Sequence, residues 1–330
     1  MEPSEAEREQ IDLNCTHKLS LSAFPAQNRP LETADSAAID DLVRHSIASN
    51  TRIAYASDLK HFREWGGKLP ATPQVIASYV AAFAGKLSVA TITRRVATLS
   101  KAHQAMAGEN PCQSALVKAT LQGLRRKFGT VQKQAKALTR EDLFAILDAM
   151  GDSMKDTRDR ALLLLGFAGG FRRSELVGLD VADIEHVRQG MIITLRHSKT
   201  DQEGAGRKIG IPLGRTRHCP VTAVSEWLMH SGIDEGAIFR PINRHGQLQP
   251  ERLSGDSVSG VIRDHLTAAG IGPEGYSGHS LRAGLATSAA NAGASTLKIR
   301  AQTGHTSDAM LSRYIRDGEL FISNAAAAVL

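Results

Sequence analysis

The chain has 330 residues, 42% hydrophobic and 22% charged, with a formal net charge of +6; that length implies two domains, each burying its own apolar face. No run approaches the roughly 18 apolar residues that span a bilayer, and the opening MEPSEAEREQ lacks the apolar stretch of a secretory signal, so a cytoplasmic protein without a membrane partner is expected. Cys15, Cys112 and Cys219 are odd in number and scattered, which argues against a disulfide framework or a cysteine metal site.

Residues 1–38 mix Pro, Ser, Asn and acidic side chains without periodicity and are expected to form a disordered acidic tail. From 39 to 128 the pattern turns helical. DDLVRHSIAS, NTRIAYASDLKHFREWGGKL, TPQVIASYVAAFAGK, SVATITRRVATLSKAHQAMAG and PCQSALVKATLQGLRRKFG each alternate apolar and polar faces at helical spacing, punctuated by Asn50, Thr72, Ser88, Gly108 and Pro111. In the second of these, Ile53, Leu59, Phe62 and Trp65 form the expected buried stripe. Residues 129–138, GTVQKQAKAL, lose that period and read as an exposed linker.

A second domain, 139–330, opens with Thr139 capping a helix whose first turn is acidic. The helix DTRDRALLLLGFAGG is apolar enough to be buried. Three strands follow, in DVADIEHV, GMIITLRHS and RKIGIPLG, with Gln189-Gly190 and DQEGAG at the turns, so a small antiparallel sheet is expected. The remainder reads as helical to the end of the chain. The fold class is therefore mainly α, a helical domain followed by an α+β domain.

Charge is distributed unevenly. Residues 1–41 hold nine acidic and three basic side chains, whereas 88–140 hold ten Lys and Arg against Glu109 alone. Such a block favours a polyanionic partner, and Arg94, Arg95, Lys101, Arg125, Arg126, Lys127, Lys133 and Lys136 are the candidate contacts.

Four islands in the second domain carry residues suited to chemistry. In GGFRRSELVGL, Arg172 and Glu175 stand three apart and are expected to share a helix face. HSKTDQEGAG puts Lys199 on the turn between two strands, and Lys208 lies on the returning strand. SGHSLRAG brings His279 and Arg282 to a helix start, where backbone N–H groups favour an anion. GHTSDAMLSRYIRDGEL supplies His305 and, nine residues on, Tyr314. Two guanidiniums, two imidazoles, a lysine and a phenol can together bind a phosphodiester and attack it, the phenol acting as nucleophile. No G-x-x-x-x-G-K-[ST] loop or G-x-S-x-G elbow is present, so neither ATP nor a hydrolase triad is indicated.

The ordered set R-x-x-E-L, hairpin Lys, H-x-L-R, G-H and Tyr resembles the tyrosine recombinase, or phage integrase, family over about residues 40–330, and the closing SRYIRDGELFISNAAAAVL most resembles its Cre-type members. The resemblance implies a core DNA-binding domain at 39–128 and a catalytic domain at 139–330, closing on DNA as a C-shaped clamp. It also implies that Arg172 and Arg282 hold the phosphate, Glu175 orients the site, Lys199 protonates the leaving 5′ oxygen, and His279 assists the nucleophile's proton transfer. His305 would then bond the phosphate and Tyr314 would form a 3′-phosphotyrosyl link. Lys199 is preferred to Lys208 for the proton donor.

In this reading no cofactor or metal is needed. The expected partner is a double-stranded site of inverted-repeat half-sites, bound by a homotetramer that is monomeric in solution and nucleoid-associated when on DNA. A terminal helix, 318–330, would dock on a neighbouring subunit. Strand exchange would run through a Holliday junction. A type IB topoisomerase or telomere resolvase uses the same chemistry, and a non-catalytic DNA-binding protein is the alternative from another class.

Overall fold

The computed structural model describes residues 41–311, except 43–45, 48, 107, 131–133, 197–205, 306 and 308–310. The acidic tail and the terminal helix expected at 318–330 lie outside the described residues. The chain divides into two compact units between Gln132 and Lys133, inside the stretch read as a linker. The described residues are mainly helical, with one three-stranded antiparallel sheet. No helix among them is long and apolar enough to cross a membrane.

In the first unit, α1 (Ser49–Glu64), α2 (Pro73–Phe83), α3 (Val89–Gln104) and α4 (Ala115–Phe128) surround one core. Their starts are set by side chains that satisfy otherwise unpaired N–H groups: Thr72, Ser88 and Ser114 accept from Val75, Thr91 and Val117. The Ser114 cap explains why α4 begins only at Ala115, after a short 3₁₀ turn at Pro111–Gln113. Leu59, Phe62, Ile76, Tyr79, Ile92, Leu99 and Val117 fill the core. Ile53 departs from the expected stripe, being 67% exposed. Six residues at about 100° each place it about 120° round α1 from Leu59, so it cannot share Leu59's face.

The second unit is built around α6 (Met154–Gly169), whose Leu162, Leu163, Leu164 and Leu165 are all buried because other elements cover it on several sides. Before it comes α5 (Arg140–Ala149), capped by Thr139, and after it α7 (Arg173–Gly178). The sheet comprises β1 (Ile184–Val187), β2 (Gly190–Leu195) and β3 (Arg207–Pro212) in the order β1-β2-β3, with Ile193 opposite both Ile184 and Ile209. The first strand is shorter than DVADIEHV suggests. Asp183 accepts the Asp180 N–H at 2.9 Å and winds 181–183 into a 3₁₀ turn. Among the described residues, four helices complete the unit: α8 (Pro220–Ser231), α9 (Gly255–Ala268), α10 (Ser280–Asn291) and α11 (Thr296–Thr303).

The last residues of the expected linker belong to this core. Leu138 is fully buried and its N–H donates to Ser280 O at 3.0 Å, while Lys136 N–H donates to Gly275 O at 2.9 Å. Residues 136–138 thus lie along the approach to α10. Their close packing needs Gly284, since a Cβ there would overlap the Leu138 carbonyl.

Candidate active site

Three turns converge at the site. The first follows α6, where Gly170 takes a left-handed conformation at φ 58° and ends the helix. Arg172 is then the N-cap of α7, so it stands outside the helix and does not share a face with Glu175 as its spacing suggests. The pair instead closes a loop of two bonds. The Arg172 N–H donates to Glu175 Oε2 at 2.9 Å, and Arg172 Nη1 donates to Glu175 Oε1 at 2.5 Å. Glu175 is buried and Arg172 is largely so, which makes this a charge-assisted pair shielded from water. A third, longer bond runs from Arg172 Nη2 to Gly304 O at 3.5 Å.

The second turn begins α10. His279 is its N-cap and Arg282 lies in its first turn, 1% exposed. Nη1 of Arg282 donates to Gly170 O at 2.8 Å and also to Thr303 O. One guanidinium therefore fastens the end of α6 to the end of α11. His279 keeps an exposed side chain, yet the protein packed around it, then Arg282 and Arg172, lower its pKa below the usual 6.5.

The third turn ends α11. Gly304, at φ 69°, reverses the chain, and His305 follows, 5% exposed. Its Nδ1 lies 2.7 Å from Thr303 Oγ1, which is also 2.7 Å from Ile299 O. Burial, then Arg282, Arg172, His279 and Arg207, hold the His305 pKa down at about 4. The imidazole is thus neutral near pH 7, and it binds fewer protons folded than unfolded between pH 4 and 6.5. Its stabilising contribution is complete above about 6.5 and is lost as pH falls toward 4, by about 3 kcal/mol in all. Urea denaturation from pH 7 to 4.5 should show a shallower decline for His305→Asn than for the wild type; parallel curves would contradict this.

Arg172, Glu175, His279, Arg282 and His305 are therefore gathered from segments up to 133 residues apart in sequence, whereas Lys199 and Tyr314 lie outside the described residues. Lys208 is exposed on β3. Arg207, which no motif singles out, joins the cluster: its charge acts on Glu175, Arg172 and His305. The signal for it in the sequence is alternation, because Arg207 shares a strand face with buried Ile209 and Ile211.

The candidate DNA contacts differ in how free they are. Lys101, Arg125, Arg126, Lys127 and Lys136 are exposed, with Lys136 Nζ 4.7 Å above the Tyr276 ring. Arg94 Nη1 instead lies 2.5 Å from Oδ2 of buried Asp58, and Arg95 Nε 3.6 Å from its Oδ1. Lys133 lies outside the described residues.

One buried carboxylate, paired with Arg172, stands among further cations and imidazoles, so the cluster carries an excess of positive charge that favours an oxyanion. Such a set of side chains suits an enzyme of phosphoryl transfer. The phage integrase family model matches residues 136–319. An integrase/recombinase xerD homolog of Selenomonas ruminantium is 39% identical over 291 residues, covering 85% of each chain. The recombinase cre of Escherichia phage P1 is 26% identical over 275 residues, covering 77% of this chain and 78% of the relative. Among solved structures, the XerH site-specific recombinase bound to a palindromic difH substrate superposes with a TM-score of 0.64 at 17% identity, covering 97% of this chain and 93% of that one. The chain belongs to the phage integrase family, and it is a tyrosine site-specific recombinase, an enzyme that cleaves and rejoins DNA.

Proposed function

We propose that the scissile phosphate of duplex DNA sits between Arg172, Arg282 and His305, with Tyr314 as nucleophile. The Tyr314 Oη–P bond forms as the P–O5′ bond breaks, leaving a 3′-phosphotyrosyl ester. His279, with a lowered pKa, is neutral and able to take the phenolic proton; Lys199 supplies one to the departing 5′ oxygen. Two guanidiniums stabilise the charge that builds on the non-bridging oxygens, which is greater in the transition state than in the ground state. The ester conserves the bond energy, so the 5′ hydroxyl of a partner duplex reverses the step and rejoins the strand. Lys208 is a poorer choice for the proton donor than Lys199, because β3 alternation sets it on the opposite strand face from Arg207.

The low His305 pKa bears on its role. Thr303 Oγ1 has one proton, and it lies within reach of both Ile299 O and His305 Nδ1. Only when the proton goes to Nδ1 does a neutral His305 carry its own hydrogen on Nε2, ready to donate to a phosphate oxygen. Thr303 is in this reading the residue that sets the tautomer.

Residues 39–128, within the first unit, are proposed as the core DNA-binding domain. Lys101 and the Arg125–Lys127 run supply phosphate contacts that position the protein without reading bases. Inverted half-sites, exchange through a Holliday junction and assembly of a homotetramer on DNA by docking of residues 318–330 complete the proposal. The observation that carries it is the meeting of Arg172, Glu175, His279, Arg282 and His305 around one point in a chain of this family. Its test is a nicked suicide substrate made from DNA neighbouring the protein's own coding sequence. After nuclease trimming, peptide mass mapping should find the nucleotide on Tyr314. No adduct, or an adduct on another residue, would overturn the assignment.

A further inference from the structure

Arg207 has no part in the chemistry described so far, and its surroundings are unusual for an arginine. It is the first residue of β3, on the strand face that carries buried Ile209 and Ile211. Its Nη1 donates to Ala301 O at 3.1 Å and to Gln302 O at 3.2 Å, the carbonyls at the end of α11 that have no partner within the helix. Its Nη2 is buried and has no hydrogen-bond partner among the described residues. A buried N–H on a charged group left without an acceptor is costly. Glu175, the carboxylate whose charge acts on Arg207, already accepts two bonds from Arg172.

The guanidinium also packs directly on the turn that presents His305. A Cβ at Gly304 would lie 2.5 Å from Arg207 Nη1, so glycine at 304 serves both the left-handed φ and the approach of this side chain. Burial and the nearby Arg172 lower the Arg207 pKa, with Glu175 opposing. A cation crowded against Arg172, with the single carboxylate of Glu175 to balance the two charges, is a place where an anion relieves repulsion.

We propose that Arg207 is a third phosphate-binding arginine, whose Nη2 donates to a non-bridging oxygen of the DNA phosphate held by Arg172, Arg282 and His305. This rests on the assignment of that cluster as the phosphate site. One end of the guanidinium is fixed by α11, so the other is aimed before DNA arrives and loses little freedom on binding it. The chain would thus add a donor from β3, the strand that follows Lys199 in sequence.

The test compares single-turnover cleavage of two suicide substrates, one with an ordinary phosphodiester at the scissile position and one with an uncharged methylphosphonate. Arg207→Met should cleave the phosphodiester about ten- to a hundredfold more slowly than wild type, as expected for loss of a charge-assisted hydrogen bond. Its deficit should largely vanish on the methylphosphonate, where there is no anionic oxygen to stabilise. An equal deficit on both substrates would mean that Arg207 acts only by holding α11, and no deficit on either would remove it from the site; both outcomes overturn the proposal. If Arg207→Met does not fold, Arg207→Lys preserves the charge while losing the two-ended grip, and the same difference between substrates is expected of it. Wild-type protein forming no adduct would sink the phosphate-site assignment first, whereas a normal wild-type adduct with an unaffected variant would sink the Arg207 proposal alone.

Discussion

Arg282→Lys should cleave a suicide substrate about a hundred- to a thousandfold more slowly than wild type, the loss typical of removing one oxyanion donor. The side chain is 1% exposed and its Nη1 alone reaches two carbonyls, Gly170 O at the end of α6 and Thr303 O at the end of α11. A planar guanidinium can serve both and still point further N–H groups at a phosphate. A lysine is a single point charge on a flexible stem and cannot occupy all three directions. A carbonyl left without its partner costs about 1–3 kcal/mol, so the variant's unfolding midpoint in urea should also fall. Binding and chemistry are separable by measuring DNA affinity alongside cleavage of pre-bound substrate. A loss confined to affinity, with bound substrate cleaved at the wild-type rate, would show that Arg282 holds the ground state and the transition state equally.

The same side chain shows why part of the site is legible in the amino-acid sequence and part is not. Arg282 and His279 are legible because their spacing is local: His279 caps α10 but, unlike the extended Arg172, already has right-handed helical backbone angles, so residues three apart come together. Arg172 and Glu175 are legible as a pair but not as a cap, since the Gly170 turn that places Arg172 outside α7 makes their contact a loop closure. The elements themselves follow from caps such as Thr139 and Ser153 and from the period of the apolar residues. What local pattern cannot give is the partner of a charge across the fold. Arg94 and Arg95 look like part of a basic surface until Asp58, 36 residues before Arg94, is seen buried between α1 and α3 with Thr98 also donating to it at 2.9 Å. Leu138 likewise sits in a stretch of linker composition, and only the glycine at 284, far along the chain, makes room for its backbone. Arg207 is hidden because a charged strand residue is expected to face solvent, although its register with Leu195 and its alternation with Ile209 point inward.

Removing Glu175 is expected to be the most damaging change to folding and to catalysis together. Its carboxylate is 3% exposed and accepts both the backbone N–H and the side chain of Arg172. Glu175→Ala leaves the Arg172 charge shielded from water without its counter-charge, a loss on the order of 3–5 kcal/mol for buried pairs, and it opens the capping loop that begins α7. Glu175→Gln is the more informative variant. It keeps the shape and one acceptor oxygen, but its amide N–H₂ must face a donor, so Arg172 can no longer be held at both points. Cleavage should fall about tenfold to a hundredfold, the loss expected of a charge-assisted bond, while affinity for nonspecific DNA changes little. The two residues act as a unit, so a double-mutant cycle with Arg172→Lys should be strongly non-additive. The double variant is expected to cleave about as slowly as Arg172→Lys alone, because Glu175 has no work to do once the guanidinium it positions is gone. Effects that simply add, in cleavage rate and in urea stability alike, would show that Glu175 supports the fold independently and does not orient the arginine proposed to meet the phosphate.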